Sequence, residues 1–89
     1  MSILAYADVN RQLTITCDAS NTEIGYILSQ KDNHNRTRVI AYGGRSLSAT
    51  ERRYHTREKE CLAIINAIKT NDTYLSDNHF VVLTDHQAL

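Results

Sequence analysis

Three segments with strand periodicity precede one helical segment, and a short apolar segment follows the helix. Polar and apolar residues alternate over residues 13–18, and residues 24–29 and 38–47 form two further strand-like segments. Helical spacing runs from residue 56 to about residue 71, and residues 79–84 are apolar on both faces, as in a strand inside a sheet. This order, β-β-β-α-β, predicts an α/β fold that opens with an antiparallel meander. A right-handed crossover through the helix then places the fourth strand parallel to the first and beside it.

Length and composition limit the chain to one small domain. Of the 89 residues, 42% are hydrophobic and 22% are charged, a balance typical of a soluble globular chain rather than of a disordered one. No apolar run is long enough to span a bilayer and no secretory signal opens the chain, so we expect an intracellular protein that does not contact a membrane. Residues 1–10 are interpreted as a lead-in, and residues 11–89 as the domain itself.

Positive and negative charges are unevenly distributed along the chain. Residues 31–59 carry eight Lys and Arg residues against three acidic ones, whereas the remainder carries two against seven. One interpretation is a phosphate-binding surface beside a cluster of metal-binding carboxylates. The other is ordinary scatter, and the charges alone favour neither.

Local signals predict the turns and the buried side of the helix. Ser48 and Glu51 have the spacing of a capping box that begins a short turn, and Thr56 is the expected N-cap of the main helix. Gly25, inside the second strand, indicates a bulge or a close approach of two backbones. The buried helix stripe is predicted to consist of Cys61, Ile64, Ile65 and Ile68, with Leu62, Ala63 and Ala67 widening it. Both Cys17 and Cys61 are therefore expected to be buried free thiols.

Three carboxylates are predicted to meet at one end of the sheet. Asp18 and Asp85 end the first and fourth strands, and the carboxyl ends of such strands are where open α/β sheets bind ligands. Glu60, in the first turns of the helix, can point at the same strand ends. Oxygen donors from three separate elements suit Mg²⁺ or Mn²⁺, and two such ions can hydrolyse a phosphodiester. The alternative is that these acids only end strands beside turns.

Four blocks of residues together resemble a known family. They are residues 4–30, with Thr16-Cys17-Asp18-Ala19-Ser20; residues 40–47, with Ile40-Ala41-Tyr42; residues 51–67, with Glu58-Lys59-Glu60; and residues 74–86, with Thr84-Asp85-His86. In order and spacing they resemble the ribonuclease H domain that follows the reverse transcriptase in gypsy-class LTR retrotransposon polyproteins. The resemblance covers nearly the whole chain, so the lead-in would come from the reverse transcriptase connection.

The resemblance implies a function and a set of site residues. It implies the ribonuclease H-like mixed sheet and two-metal cleavage of the RNA strand of an RNA–DNA hybrid, with Mg²⁺ or Mn²⁺ held by the catalytic residues Asp18, Glu60 and Asp85. Glu58 is the rival of Glu60, but the two lie about 200° apart on a helix, and the apolar phase favours Glu60. The expected nucleic-acid contacts are backbone groups near Ala19, Ser20 and Gly25, together with Arg45 as a phosphate-binding cation.

The resemblance also implies elements that lie beyond Leu89. The family has a fourth catalytic aspartate, a final strand and further helices downstream, so we expect these 89 residues to be weakly active or inactive and residues 80–84 to form an open edge. Self-association through that edge is one expectation. The alternative function is a non-catalytic retroelement remnant that binds nucleic acid. The expected partners are an RNA–DNA hybrid and the reverse transcriptase domain of the same polyprotein, in the cytoplasm or in retroelement particles.

Overall fold

One mixed sheet, packed against a single long helix, organises the part of the chain that the structure describes. The computed structural model describes residues 2–3, 7–8, 10–76 and 78–84. Within these residues, five strands lie in the order β1-β4-β3-β2-β5. The strands are β1 Ser2–Ile3, β2 Leu13–Ala19, β3 Glu23–Lys31, β4 Thr37–Ser46 and β5 Phe80–Thr84. The helices are a 3-10 helix at Glu51–Arg53, α1 Thr56–Thr70 and α2 Asp72–Leu75. None of these helices has the length and apolarity to cross a membrane.

The strand pairing confirms the predicted topology. Strands β2, β3 and β4 form the antiparallel meander, and β5 runs parallel to β2 on its other side. The parallel register pairs Leu13 with Phe80 and Cys17 with Thr84. The crossover through α1 therefore brings the end of β5 to the end of β2, as the order of elements predicts.

The lead-in segment joins the sheet, which the sequence did not indicate. Strand β1 pairs with β4, with Ser2 opposite Tyr42. The buried side chain of Gln30 then holds the following segment: its Oε1 accepts a hydrogen bond from Asp8 N at 2.8 Å, and its Nε2 donates to the carbonyl oxygens of Asp8 at 2.7 Å and Arg11 at 3.1 Å. Strand β1 is thus tied to the domain by backbone pairing, and Asp8 and Arg11 by the side chain of Gln30.

The capping signals are confirmed, with one shift of a single residue. Ser48 N donates to Glu51 Oε1 at 2.8 Å and Glu51 N donates to Ser48 Oγ at 3.2 Å, which is the reciprocal capping box ahead of the 3-10 helix. Helix α1 has His55, not Thr56, as its N-cap, and Glu58 Oε1 accepts from His55 N at 3.1 Å. The helix ends at its C-cap, Asn71, as predicted.

The buried side of α1 differs from the predicted isoleucine and cysteine stripe. Ala63 and Ala67 are 1% and 0% exposed, whereas Ile65 and Cys61 are exposed. The prediction for those two residues was wrong because the alanines face the sheet, and their small side chains let the helix backbone approach the strands closely. The isoleucine-rich side is rotated towards solvent, with Ile64 and Ile68 half-buried at its margin.

Strand β5 is less buried than its apolar sequence predicts. It lies at the edge of the described sheet, and Val81 and Leu83 are 38% and 52% exposed. The open edge is as expected, but the interior position inferred from its two apolar faces is wrong, since only the face towards α1 is covered. Of the two irregularities predicted at Gly25, the structure shows the close backbone approach, which is to Gly44. The bulge of β3 lies elsewhere, between Leu28 and Ser29.

Candidate active site

Asp18 lies at the carboxyl end of the central strand β2. Its backbone is paired with Gly25 of β3, and its side chain is exposed on the side of the sheet opposite α1. The Oδ1 atom accepts a hydrogen bond from Ala19 N at 2.9 Å, which orients the carboxylate along the strand end. Neighbouring Ala19 is half-buried. An exposed, oriented carboxylate at a strand end is placed where a ligand can reach it.

Glu60 reaches the same end of the sheet from α1. In the first turn of the helix, the Nζ atom of buried Lys59 donates to the carbonyl oxygen of Asn21 at 3.3 Å, in the turn that follows β2, so the start of α1 lies beside that turn. Glu60 is 6% exposed, whereas Glu58 is exposed and caps the helix. Of the two acids, Glu60 is thus the buried one, as predicted, while its role as a metal ligand stays a prediction.

Asp85 lies outside the described residues, as does His86. The structure does describe Thr84, which precedes Asp85 in the chain and pairs with Cys17, which precedes Asp18. Among the described residues, no three His, Cys, Asp or Glu side chains form a group that could hold a metal ion. The meeting of all three predicted carboxylates therefore stays a prediction.

A groove of about 570 Å³ runs beside Asp18 and is bounded by strands β3 and β4. Predicted contact residues Ser20, Gly25 and Arg45 line it, and so do Tyr42 and Gly44, which the sequence analysis did not single out. The Ser20 hydroxyl is engaged in the local turn, where it accepts hydrogen bonds from the backbone N–H groups of Thr22 and Glu23. A sequence signal for this groove is the pair Gly43-Gly44, because Gly44 lies opposite Gly25 and the two leave that part of the wall without side chains.

Arg45 is held by an acid of its own chain. Its Nη1 and Nη2 atoms lie 2.8 and 3.0 Å from the two carboxylate oxygens of Glu51. These bonds, with the Ser48 N–H bond, lower the pKa of Glu51 to about 2, and the same pair raises the pKa of Arg45. A bidentate pair fixes the guanidinium at the groove, so a phosphate there would share Arg45 with Glu51.

The Cys17 thiol, beside Asp18 in the chain, is part of the core. It is 1% exposed, and burial raises its pKa to about 11. A thiol with so high a pKa is protonated at neutral pH and is not a nucleophile. The prediction that Cys17 is a packing residue is confirmed.

The family model described as the RNase H-like domain found in reverse transcriptase matches residues 8–89. The chain belongs to this family. Its relatives include the retrovirus-related Pol polyprotein from transposon opus of Drosophila melanogaster, which is 47% identical over 98% of the chain. The Pol polyprotein from transposon 297 of the same fly is 38% identical over 98% of the chain, and the enzymatic polyprotein of Carnation etched ring virus is 40% identical over 94%.

The RNase H-like domain is a small part of each of these relatives. The chain spans 9%, 8% and 13% of their lengths respectively. Family membership accounts for the mixed sheet with its crossover helix, and it confirms the predicted resemblance.

Proposed function

We propose that this RNase H-like domain contributes to metal-dependent hydrolysis of the RNA strand of RNA–DNA hybrids, as part of a retroelement polyprotein that contains a reverse transcriptase. The observation that supports the proposal is that Asp18 lies near the end of β2, while Lys59, the neighbour of Glu60 on α1, bonds to the turn that follows β2. Asp85, one residue beyond the end of β5, is the third proposed ligand.

The side chains present fit hard divalent cations. Carboxylate oxygens are the ligands that Mg²⁺ and Mn²⁺ prefer, and all three proposed ligands, Asp18, Glu60 and Asp85, are carboxylates. When bound, the ions would activate water and stabilise the leaving oxygen. Asp18 would hold metal at the exposed strand end, and Glu60, fixed by its burial against the sheet, would hold it from the helix side.

The groove beside Asp18 suits a sugar–phosphate strand. Gly25 and Gly44 leave its wall open, so that backbone groups can approach the ligand, while Arg45 supplies a positive charge at the rim. Approach of backbone groups to the 2′-hydroxyls is what would distinguish RNA from DNA in this groove.

Cleavage of a hybrid with a labelled RNA strand tests the proposal. We expect slow cleavage in Mn²⁺ or Mg²⁺, none in EDTA, and a loss of at least about 100-fold in Asp18→Asn and Glu60→Gln, because each removes a charged metal ligand. Glu58→Gln is the matched control: it lies two residues from Glu60, keeps an acceptor for the His55 N–H, and should cleave within about twofold of the parent. Metal-independent cleavage, or an active Glu60→Gln, would contradict the proposal.

Metal binding can be measured even where turnover is too slow to detect. Mn²⁺ should broaden the amide NMR signals around Asp18 and Glu60 selectively, and Asp18→Asn should remove that broadening while Glu58→Gln keeps it. If hybrid binds equally well without metal and in Asp18→Asn, the domain is instead a non-catalytic nucleic-acid-binding module.

A further inference from the structure

The carboxylate of Glu51 is held in one orientation by its own turn. Its backbone N–H donates to Ser48 Oγ at 3.2 Å, and its Oε1 atom accepts from Ser48 N at 2.8 Å. The side chain is only 17% exposed. Hydrogen bonds from Arg45 and Ser48 hold the pKa of Glu51 at about 2, so the carboxylate is charged at neutral pH. Glu51 is therefore a fixed acceptor, and a side chain that binds to it is oriented by it.

The guanidinium of Arg45 uses three of its N–H groups within the chain. Nη1 donates to Glu51 Oε1 at 2.8 Å and to the carbonyl oxygen of Ser46 at 3.2 Å, and Nη2 donates to Glu51 Oε2 at 3.0 Å. A guanidinium carries five N–H donors in a rigid plane, so the Nε–H and the second N–H of Nη2 remain. Among the described residues, neither of these two donors has an acceptor.

The two remaining donors lie on one edge of the guanidinium. Because Nη1 and one N–H of Nη2 point at the two oxygens of Glu51, the other N–H of Nη2 runs parallel to the Nε–H. Two parallel donors of this kind match two oxygens of a single phosphate. Arg45 is 41% exposed and lines the groove beside Asp18, so its side chain is accessible to a ligand in that groove.

We propose that Glu51 is a positioning residue, which holds Arg45 so that the Nε–H and Nη2–H edge binds one backbone phosphate of the hybrid through two parallel hydrogen bonds. This inference rests on the hybrid-binding groove of the proposed function, but not on its metal site. Arginine has a long, flexible side chain, and orienting it before the ligand arrives removes an entropic cost of binding.

The proposal predicts an effect opposite to that of net charge alone. Phosphates repel acids, so removing an acid near the groove should by itself strengthen the binding of a nucleic acid. If Glu51 orients Arg45, its removal should instead weaken binding, because the two donors are no longer held in place. Glu58 provides the matched comparison, since it is also an exposed-helix acid but caps α1 by accepting from His55 N.

Fluorescence anisotropy of a labelled RNA–DNA hybrid in EDTA tests this effect. We expect Glu51→Gln to weaken binding at least about fivefold, whereas Glu58→Gln, with the same change of charge, should bind at least as tightly as the parent. In an Arg45→Gln background, Glu51→Gln should no longer weaken binding, since no guanidinium is left to orient. Binding by Glu51→Gln that equals or exceeds that of the parent overturns the proposal. So does equal weakening in both backgrounds, which would indicate an effect through the fold.

Arg45→Lys tests the pair of donors with Glu51 intact. Lysine keeps the positive charge but lacks two parallel N–H groups, so we expect binding at least about fivefold weaker than in the parent. In a Glu51→Gln background the same substitution should change the affinity by less than about twofold, because the orientation of the guanidinium is already lost. Equal effects of Arg45→Lys in the two backgrounds overturn the positioning role.

The Nε–H signal of Arg45 in ¹⁵N NMR spectra reports the contact directly. Titration with the hybrid should shift this signal and slow its exchange with water, and Glu51→Gln should abolish both changes. A signal that stays unchanged at saturation overturns the proposed contact, and so does a parent chain that binds no hybrid in either EDTA or Mg²⁺. Absence of cleavage with this binding pattern intact would contradict only the metal-dependent hydrolysis under the proposed function.

Discussion

Gly44 shows how one residue without a side chain lets two strands approach. A Cβ atom at this position would lie 2.2 Å from the carbonyl oxygen of Ile24 and 2.9 Å from Gly25 Cα, and its φ of +158° suits glycine. Both obstacles are backbone atoms, which cannot rotate away. The glycine therefore shapes the wall of the groove beside Asp18.

We expect Gly44→Ala to lower the free energy of unfolding by about 2–4 kcal/mol, because the β3–β4 pairing must shift to admit the methyl group. Urea denaturation measures the change. Gly25→Ala is the control, since its Cβ would meet only the Gly43 carbonyl oxygen at an ordinary 3.5 Å, and it should change stability by less than about 1 kcal/mol. Equal effects of the two substitutions would contradict the close approach.

Glu51 supplies a pH-dependent contact at the end of β4. The Arg45 hydrogen bonds, foremost, and the Ser48 N–H lower its pKa from an ordinary 4.5 to about 2. Because the folded pKa lies below the unfolded one, the contact stabilises the fold fully above about pH 4.5, and this stabilisation is lost as the pH falls towards 2.

The melting temperature of Glu51→Gln should accordingly lie below that of the parent at pH 6, and the gap should close between about pH 4.5 and 2. In an Arg45→Gln background the same substitution should have a smaller pH-dependent effect, since the main cause of the shift is gone. A gap that is constant from pH 6 to 2 would show that Glu51 acts through packing and not through its charge.

At the scale of elements, α1 shows which part of a helical pattern a sequence can specify. The 3.6-residue period, the capping acid and the end at Asn71 are local and were predicted. The rotation of the helix about its axis is not local, because it depends on which side of the helix can approach the sheet most closely. The small side chains of Ala63 and Ala67 allow that approach, and both are buried against the sheet.

Because this rotation exposes Cys61 on α1 while Cys17 on β2 is buried, the two thiols should differ in reactivity. A disulfide reagent at pH 8 should modify exposed Cys61 within minutes, whereas Cys17, with its pKa raised to about 11, should react at least about 100-fold more slowly and only through unfolding. Mass spectrometry of the labelled peptides measures both rates. In Cys61→Ser the native chain should take up no label on the same timescale; rapid labelling of Cys17 there would place it outside the core.

At the scale of the whole molecule, the crossover connection organises the candidate site. The helix carries the chain from the end of β4 back across the sheet, so that β5 runs beside β2 and both end at the same edge. Lys59 ties the start of α1 to the turn after β2, which places Glu60 at that edge as well. Residues 18 and 60 therefore come to one end of the sheet through topology and not through local spacing.

The sequence alone determined the order of the elements and the parallel pairing of β5 with β2, because these follow from local periodicity and from the handedness of the crossover. Only the tertiary structure decided that Ser2–Ile3 pairs with β4 and that Ala63 and Ala67 face the sheet. A two-residue strand has no period to detect, and burial depends on which distant segments pack together. For the same reason the apolar residues on both faces of β5 predicted burial on both sides, whereas Val81 and Leu83 are exposed.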